Sequence, residues 1–136
     1  MNSPGARWHP LIAALALGAC SSEFMAARES EEAALTTVPQ NYRADILAFM
    51  RTYLNDPTQV RSAFVSEPVL RTLDGVSRYI VCLRYNAKKS GGQYAGSRDS
   101  LVLFRSGRLD RIVDNARELC RDATMQPFPE LERLSR

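Results

Sequence analysis

The residues best equipped for chemistry are few: Cys20, Cys82 and Cys120, and one histidine, His9. Two or three cysteines with His9 far away near the N-terminus do not make a zinc ligand set, so no metal is expected. Asp110 and Asp114, four apart, would share a face of a strand, the arrangement from which a glycosidase-like carboxylate pair could be built. Arg108 and Arg111 beside them favour solvated turn residues instead. Ser66 and Lys88 could be cast as a Ser-Lys pair, but no local motif surrounds either. Gly91-Gly92 and Gly96 lack the Lys-Ser/Thr ending of a phosphate loop. No catalytic residue and no cofactor is expected, and the chain reads as non-enzymatic.

The remaining chemical signal is positive charge. Arg84, Lys88, Lys89 and Arg98 bracket a glycine-rich stretch, and Arg105, Arg108 and Arg111 surround the next turn. Tyr85 and Tyr94 are interleaved. Such a patch suits an anionic partner: phosphates, carboxylates or an acidic protein. The competing explanation is codon usage, because 16 arginines stand against two lysines, as a GC-rich genome would produce without any binding role.

The N-terminus reads as an address. One firm charge, Arg7, precedes the seven-residue apolar run Leu11–Leu17 and the small residues Gly18 and Ala19. That is the layout of a secretory signal, too short to span a bilayer stably. Leu17-Gly18-Ala19-Cys20 resembles the lipobox that closes the signal peptide of bacterial lipoproteins. The resemblance covers only the first 21 residues or so. It implies cleavage between Ala19 and Cys20, and acylation of Cys20. Several acyl chains hold a protein firmly where a single one does not. Ser21 rather than aspartate follows. By the enterobacterial sorting pattern that implies the outer membrane, with the protein facing the periplasm.

An exported chain with one acylated cysteine keeps an even pair, which predicts a Cys82–Cys120 disulfide closing a loop of about 38 residues. The alternative is two separate buried thiols. Loss of residues 1–19 also removes His9, and with it histidine-dependent hydrolase chemistry.

These residues need a scaffold. The 136 residues fit one domain. Three segments are expected: a signal peptide (1–19), a lipid anchor and acidic flexible tether (20–38), and a small periplasmic domain (39–136). The tether holds four glutamates and one arginine, and Ala26–Leu35 could be transiently helical. The domain holds 16 basic and 11 acidic side chains, a formal +5.

Within 40–55, Tyr42, Ile46, Phe49, Met50 and Tyr53 form one apolar face at helical spacing, ended by Asn55-Asp56-Pro57. Val60–Leu70 alternates as a strand, with Pro68 marking an edge or a bulge. Asp74-Gly75 is a turn signal. Arg78–Asn86 is the clearest strand: Tyr79, Val81, Leu83 and Tyr85 share one face, and Ile80, Cys82 and Arg84 the other. Ser100–Arg105 and Arg108–Val113 form a hairpin across Ser106-Gly107. Ala87–Ser97 is expected as a flexible loop, Asn115–Arg121 as a short helix, and the tail from Gln126 to Glu130 as extended. The expected fold is α+β: one amphipathic helix on a three- to four-stranded antiparallel sheet, with a short C-terminal helix.

In architecture and address the chain resembles small envelope lipoproteins of proteobacteria. This implies a structural, assembly or binding role with an envelope protein or an anionic envelope polymer, not nucleic acid. The alternative is an inhibitor of a periplasmic enzyme, of the lysozyme- or protease-inhibitor type. A basic inhibitor suits a basic lysozyme poorly, since like charges repel.

Overall fold

The computed structural model describes Met1, Gly5 and residues 19–136; of Ala19 and Cys20 only the backbone is described. The apolar run of the expected signal peptide and the acyl-accepting side chain of Cys20 lie outside the described residues. Among the described residues, nine elements follow in order. Helix α1 (Ala19–Leu35) and helix α2 (Tyr42–Tyr53) precede five strands: β1 (Asp56–Ser66), β2 (Val69–Leu73), β3 (Val76–Lys88), β4 (Arg98–Arg105) and β5 (Arg108–Val113). Strand β6 (Met125–Pro127) and helix α3 (Pro129–Glu132) close the chain. No described helix is long and apolar enough to cross a membrane.

The fold is α+β, with six antiparallel strands where three or four were expected. The order β5-β4-β3-β1-β6 forms the sheet, and β2 also pairs with β3. The extra strands have local causes. Pro68 cannot donate to a ladder, so one long strand divides into β1 and β2. Both halves pair with β3, at Val65↔Leu83 and Val69↔Ile80. At the break, the Cys82 amide donates to Ser66 Oγ at 2.8 Å, and that hydroxyl donates to the Glu67 carbonyl. A side chain thus replaces the missing ladder bond. The other addition, β6, is a three-residue pairing against Phe64–Ser66 that no periodicity could announce.

Two hairpins are tight for the same reason. Asp74-Gly75 and Ser106-Gly107 all have positive φ, between 49° and 79°. That is the two-residue turn whose twist matches a strand pair, and glycine meets its second position without a Cβ penalty.

The two faces of β3 bury different layers, as its alternation predicts. Val81 and Leu83 join Val65, Val102 and Phe104 under Ile46 and Met50 of α2 and Leu131 of α3. Ile80 and Cys82 join Leu101, Leu103, Ala116 and Cys120 on the opposite face. The Cys82–Cys120 disulfide is present, with Cα atoms 5.7 Å apart.

Three local expectations are corrected. Residues 115–121 form no helix. The Cys120 amide reaches the Ala116 carbonyl, Ala123 reaches Cys120, and Asn115 has φ 59°. The short span between β5 and the disulfide leaves room for a turn only. The short C-terminal helix is α3, which begins within the last two residues of the tail expected as extended, while Gln126 and Pro127 are extended in β6; Pro129 at the start of α3 presets the helical φ. Third, the loop after β3 folds back on itself. Lys88 pairs with Tyr94, and the Lys89 amide donates to the Gln93 carbonyl.

The acidic segment 20–38 contains α1, rich in the good helix formers Ala and Glu. Its side chains from Ser21 to Ala33 are exposed, whereas Leu35 and Pro39 are buried. The Ser106 amide donates to the Ala34 carbonyl, and Arg105 forks onto the Glu31 carboxylate.

Candidate functional site

The basic side chains singled out above do not form one surface. Arg105 is engaged by Glu31 of α1. Arg108 is engaged by Asp45 of α2, whose carboxylate also accepts from the Leu109 amide. Both cations therefore serve to hold helices against the β4–β5 hairpin. Arg111 lies opposite Leu103 and lines a groove of about 660 Å³ on the disulfide face with Leu73, Val76 and Leu119. Lys88 donates to Gln59 Oε1 and stacks over Tyr94, the ring that Arg61 also covers at 4.1 Å. Lys89 is exposed beside it.

Arg84 and Arg98 meet at a cleft of about 640 Å³ lined by Ser62, Phe64, Arg84, Ser97, Arg98, Asp99, Asn115 and Arg117. The sheet register builds it. Phe64, Arg84 and Asp99 lie side by side across β1, β3 and β4. Asp99 accepts from Arg84 Nε and an Arg84 terminal nitrogen at 2.6 and 3.1 Å, so the fork is held in one orientation. That bonding raises the Arg84 pKa above its already high usual value, so the group stays charged. Arg98 and Arg117 have no carboxylate within 4.0 Å among the described residues. Three guanidiniums and one carboxylate leave the lining at a formal +2.

Among the described residues, five non-glycine residues have positive φ: Gln59, Ser62, Asp74, Ser106 and Asn115. Asp74 and Ser106 belong to the hairpin turns. Of the other three, Ser62 and Asn115 both line this cleft. Left-handed non-glycine backbone costs about 1–3 kcal/mol and persists where the surroundings impose it. Here β1 bulges at Ser62, between the pairs Arg61↔Asn86 and Phe64↔Arg84.

The basic patch read from sequence thus has Arg84 and Arg98 in this cleft, Lys88 and Lys89 beside the neighbouring loop, and Arg105, Arg108 and Arg111 elsewhere. Sequence reading missed Arg117, Asn115, Ser62 and Phe64. The disulfide was a usable signal. Arg84 is two residues past Cys82 and Arg117 three before Cys120, so pairing the cysteines brings the two arginines to one region.

The residues considered for catalysis are engaged elsewhere. Asp110 accepts from Arg78, whereas Asp114 accepts from the Tyr53 hydroxyl at 2.7 Å and the Ser100 hydroxyl at 3.0 Å. Ser66 bridges the β1–β2 break, while Lys88 lies opposite Asp56 at the other end of β3.

The hydrogen bond to Asp114 pushes the Tyr53 phenol from 10.0 to about 12, and burial pushes Tyr85 up as well. A pKa raised in the folded state adds stability below pH 10, and this is lost as pH climbs from 10 to about 12. Tyr53→Phe should remove one late phenolate from the absorbance titration and flatten the alkaline fall in urea midpoint. An unchanged titration would show that the hydrogen bond does not hold in solution.

No known protein family, curated protein or solved structure matches this chain.

Proposed function

We propose that the chain is a non-enzymatic lipoprotein of the bacterial cell envelope, anchored through acylated Cys20, with a head that binds an anionic partner. The outer membrane, facing the periplasm, is the proposed location. The lipobox-like Leu17-Gly18-Ala19-Cys20 supports the anchor. The buried Cys82–Cys120 disulfide suits an oxidising compartment. The observation that carries the binding role is the uneven neutralisation of charge. Among the described residues, Arg105 and Arg108 are matched by carboxylates, whereas Lys89, Arg98 and Arg117 around one end of the sheet are not.

The anchor is tested by expressing the full chain and Cys20→Ala in a Gram-negative host. The parent should partition with membranes and gain the mass of the lipid, and Cys20→Ala should do neither. A Cys20→Ala protein that still partitions and is processed normally would overturn the anchor. For the binding role, neutralising Lys88, Lys89 and Arg98 together should weaken capture of envelope material, and added salt should weaken it in the parent. Capture insensitive to both would favour codon usage as the origin of the charge.

A further inference from the structure

We infer that the cleft around Arg84, Arg98 and Arg117 binds a sugar ring carrying an oxyanion, the repeating chemistry of an acidic glycan. The inference rests on the reading of the head as an anion binder and gives that reading a site and a ligand class.

The lining is rich in donors. Three guanidiniums face one carboxylate, and Arg84 already occupies both oxygens of Asp99. What remains for a ligand is the guanidinium hydrogens of Arg98 and Arg117 and the polar groups of Ser62, Ser97 and Asn115. Planar forks match carboxylate or phosphate in two-point contact. Phe64, half-buried beside Arg84, adds an apolar surface. An inorganic anion would leave that surface and the hydroxyl and amide groups unused. A ring with one apolar face, several hydroxyls and one oxyanion uses all three kinds of group. The volume, about 640 Å³, lies in the usual range of small-molecule sites.

The cleft is also built rather than incidental. Its walls come from β1, β3, β4 and the 115–121 turn. Asp99 positions Arg84, and its backbone carbonyl accepts from the Ala116 amide at 2.9 Å. That bond and the disulfide at Cys120 hold Arg117 over the sheet. Ser62 and Asn115 keep left-handed backbone at the same place.

The test titrates the full oxidised chain with four probes by calorimetry: N-acetylmuramic acid, glucosamine 1-phosphate, neutral N-acetylglucosamine and inorganic phosphate. Binding of either acidic sugar, tighter than both controls, supports the inference; which one binds tells a carboxylated from a phosphorylated glycan. Arg117→Ala should weaken it about tenfold or more, the loss of one charge-assisted hydrogen bond. Arg117 is exposed, so its removal leaves the fold in place. Arg117→Lys should recover only part, because an ammonium lacks the fork. Equal binding of neutral sugar, equal binding of phosphate, or an Arg117→Ala protein that binds as well as the parent would each overturn the inference. Salt-sensitive capture of envelope material alongside any of these results would leave the broader anion-binding role standing and the cleft excluded as its seat.

Discussion

Replacing Cys82 and Cys120 together by alanine should destabilise the head by about 3–4 kcal/mol, the loop-closure entropy expected for residues 38 apart. At roughly 4–8 °C per kcal/mol for a domain near 100 residues, the melting temperature should fall by on the order of 12–30 °C. The effect is large because this bridge is the main covering of one sheet face. Ala116 and Cys120, with the half-buried Leu73, Ala123 and Met125, pack there against Ile80, Leu101 and Leu103. Both cysteines are nearly inaccessible, so the substitution also removes packing. Urea unfolding of the oxidised parent and the double variant measures the difference. A loss below about 1 kcal/mol would mean that the turn stays docked without the bond. The variant should also bind acidic sugars more weakly than the parent, since the freed turn carries Arg117 and Asn115 away from Arg84.

Phe128→Ala should cost about 3–5 kcal/mol, the usual range for deleting a buried aromatic ring. Phe128 is fully buried and belongs to the larger core with Ile46, Met50 and Leu131. Its amide donates to the Ala63 carbonyl at 2.8 Å, and the Arg43 guanidinium lies 5.2 Å from the ring centroid. Ring loss therefore opens a cavity beneath α2 and loosens β6 and α3 together. Phe128→Leu, which fills most of the space, should cost clearly less. Equal losses for alanine and leucine would place the effect in the tail's backbone pairing instead. The comparison uses chemical unfolding with the disulfide intact, so that the covalent link and the aromatic core are measured separately.

The two sites also show where sequence reading works. Helix α2 was legible because its apolar positions repeat at helical spacing and Pro57 stops it. The alternation of β3 assigned Val81 and Leu83 to one layer and Cys82 to the other, and the structure has both there. The disulfide followed from parity. The Asp74-Gly75 and Ser106-Gly107 turns followed from backbone freedom at glycine. All of these depend on residues near one another in sequence or on simple counting.

The sheet's width and the grouping of its charges were not legible. Strand β6 is three residues long and carries no period, so only its pairing with β1 defines it. Seven basic residues looked alike in sequence, yet their partners come from far along the chain: Glu31 for Arg105, Asp45 for Arg108, Asp99 for Arg84. Whether an arginine ties elements together or faces a ligand depends on which carboxylate the fold brings within reach. The expected 115–121 helix failed because the path from β5 to a fixed cysteine outweighs local helix propensity. By itself, the sequence determined the class of fold, the cysteine pair and the net charge. Tertiary structure alone decided that Arg84, Arg98 and Arg117 share a cleft. Strand register and disulfide closure set distances between residues that no local pattern relates.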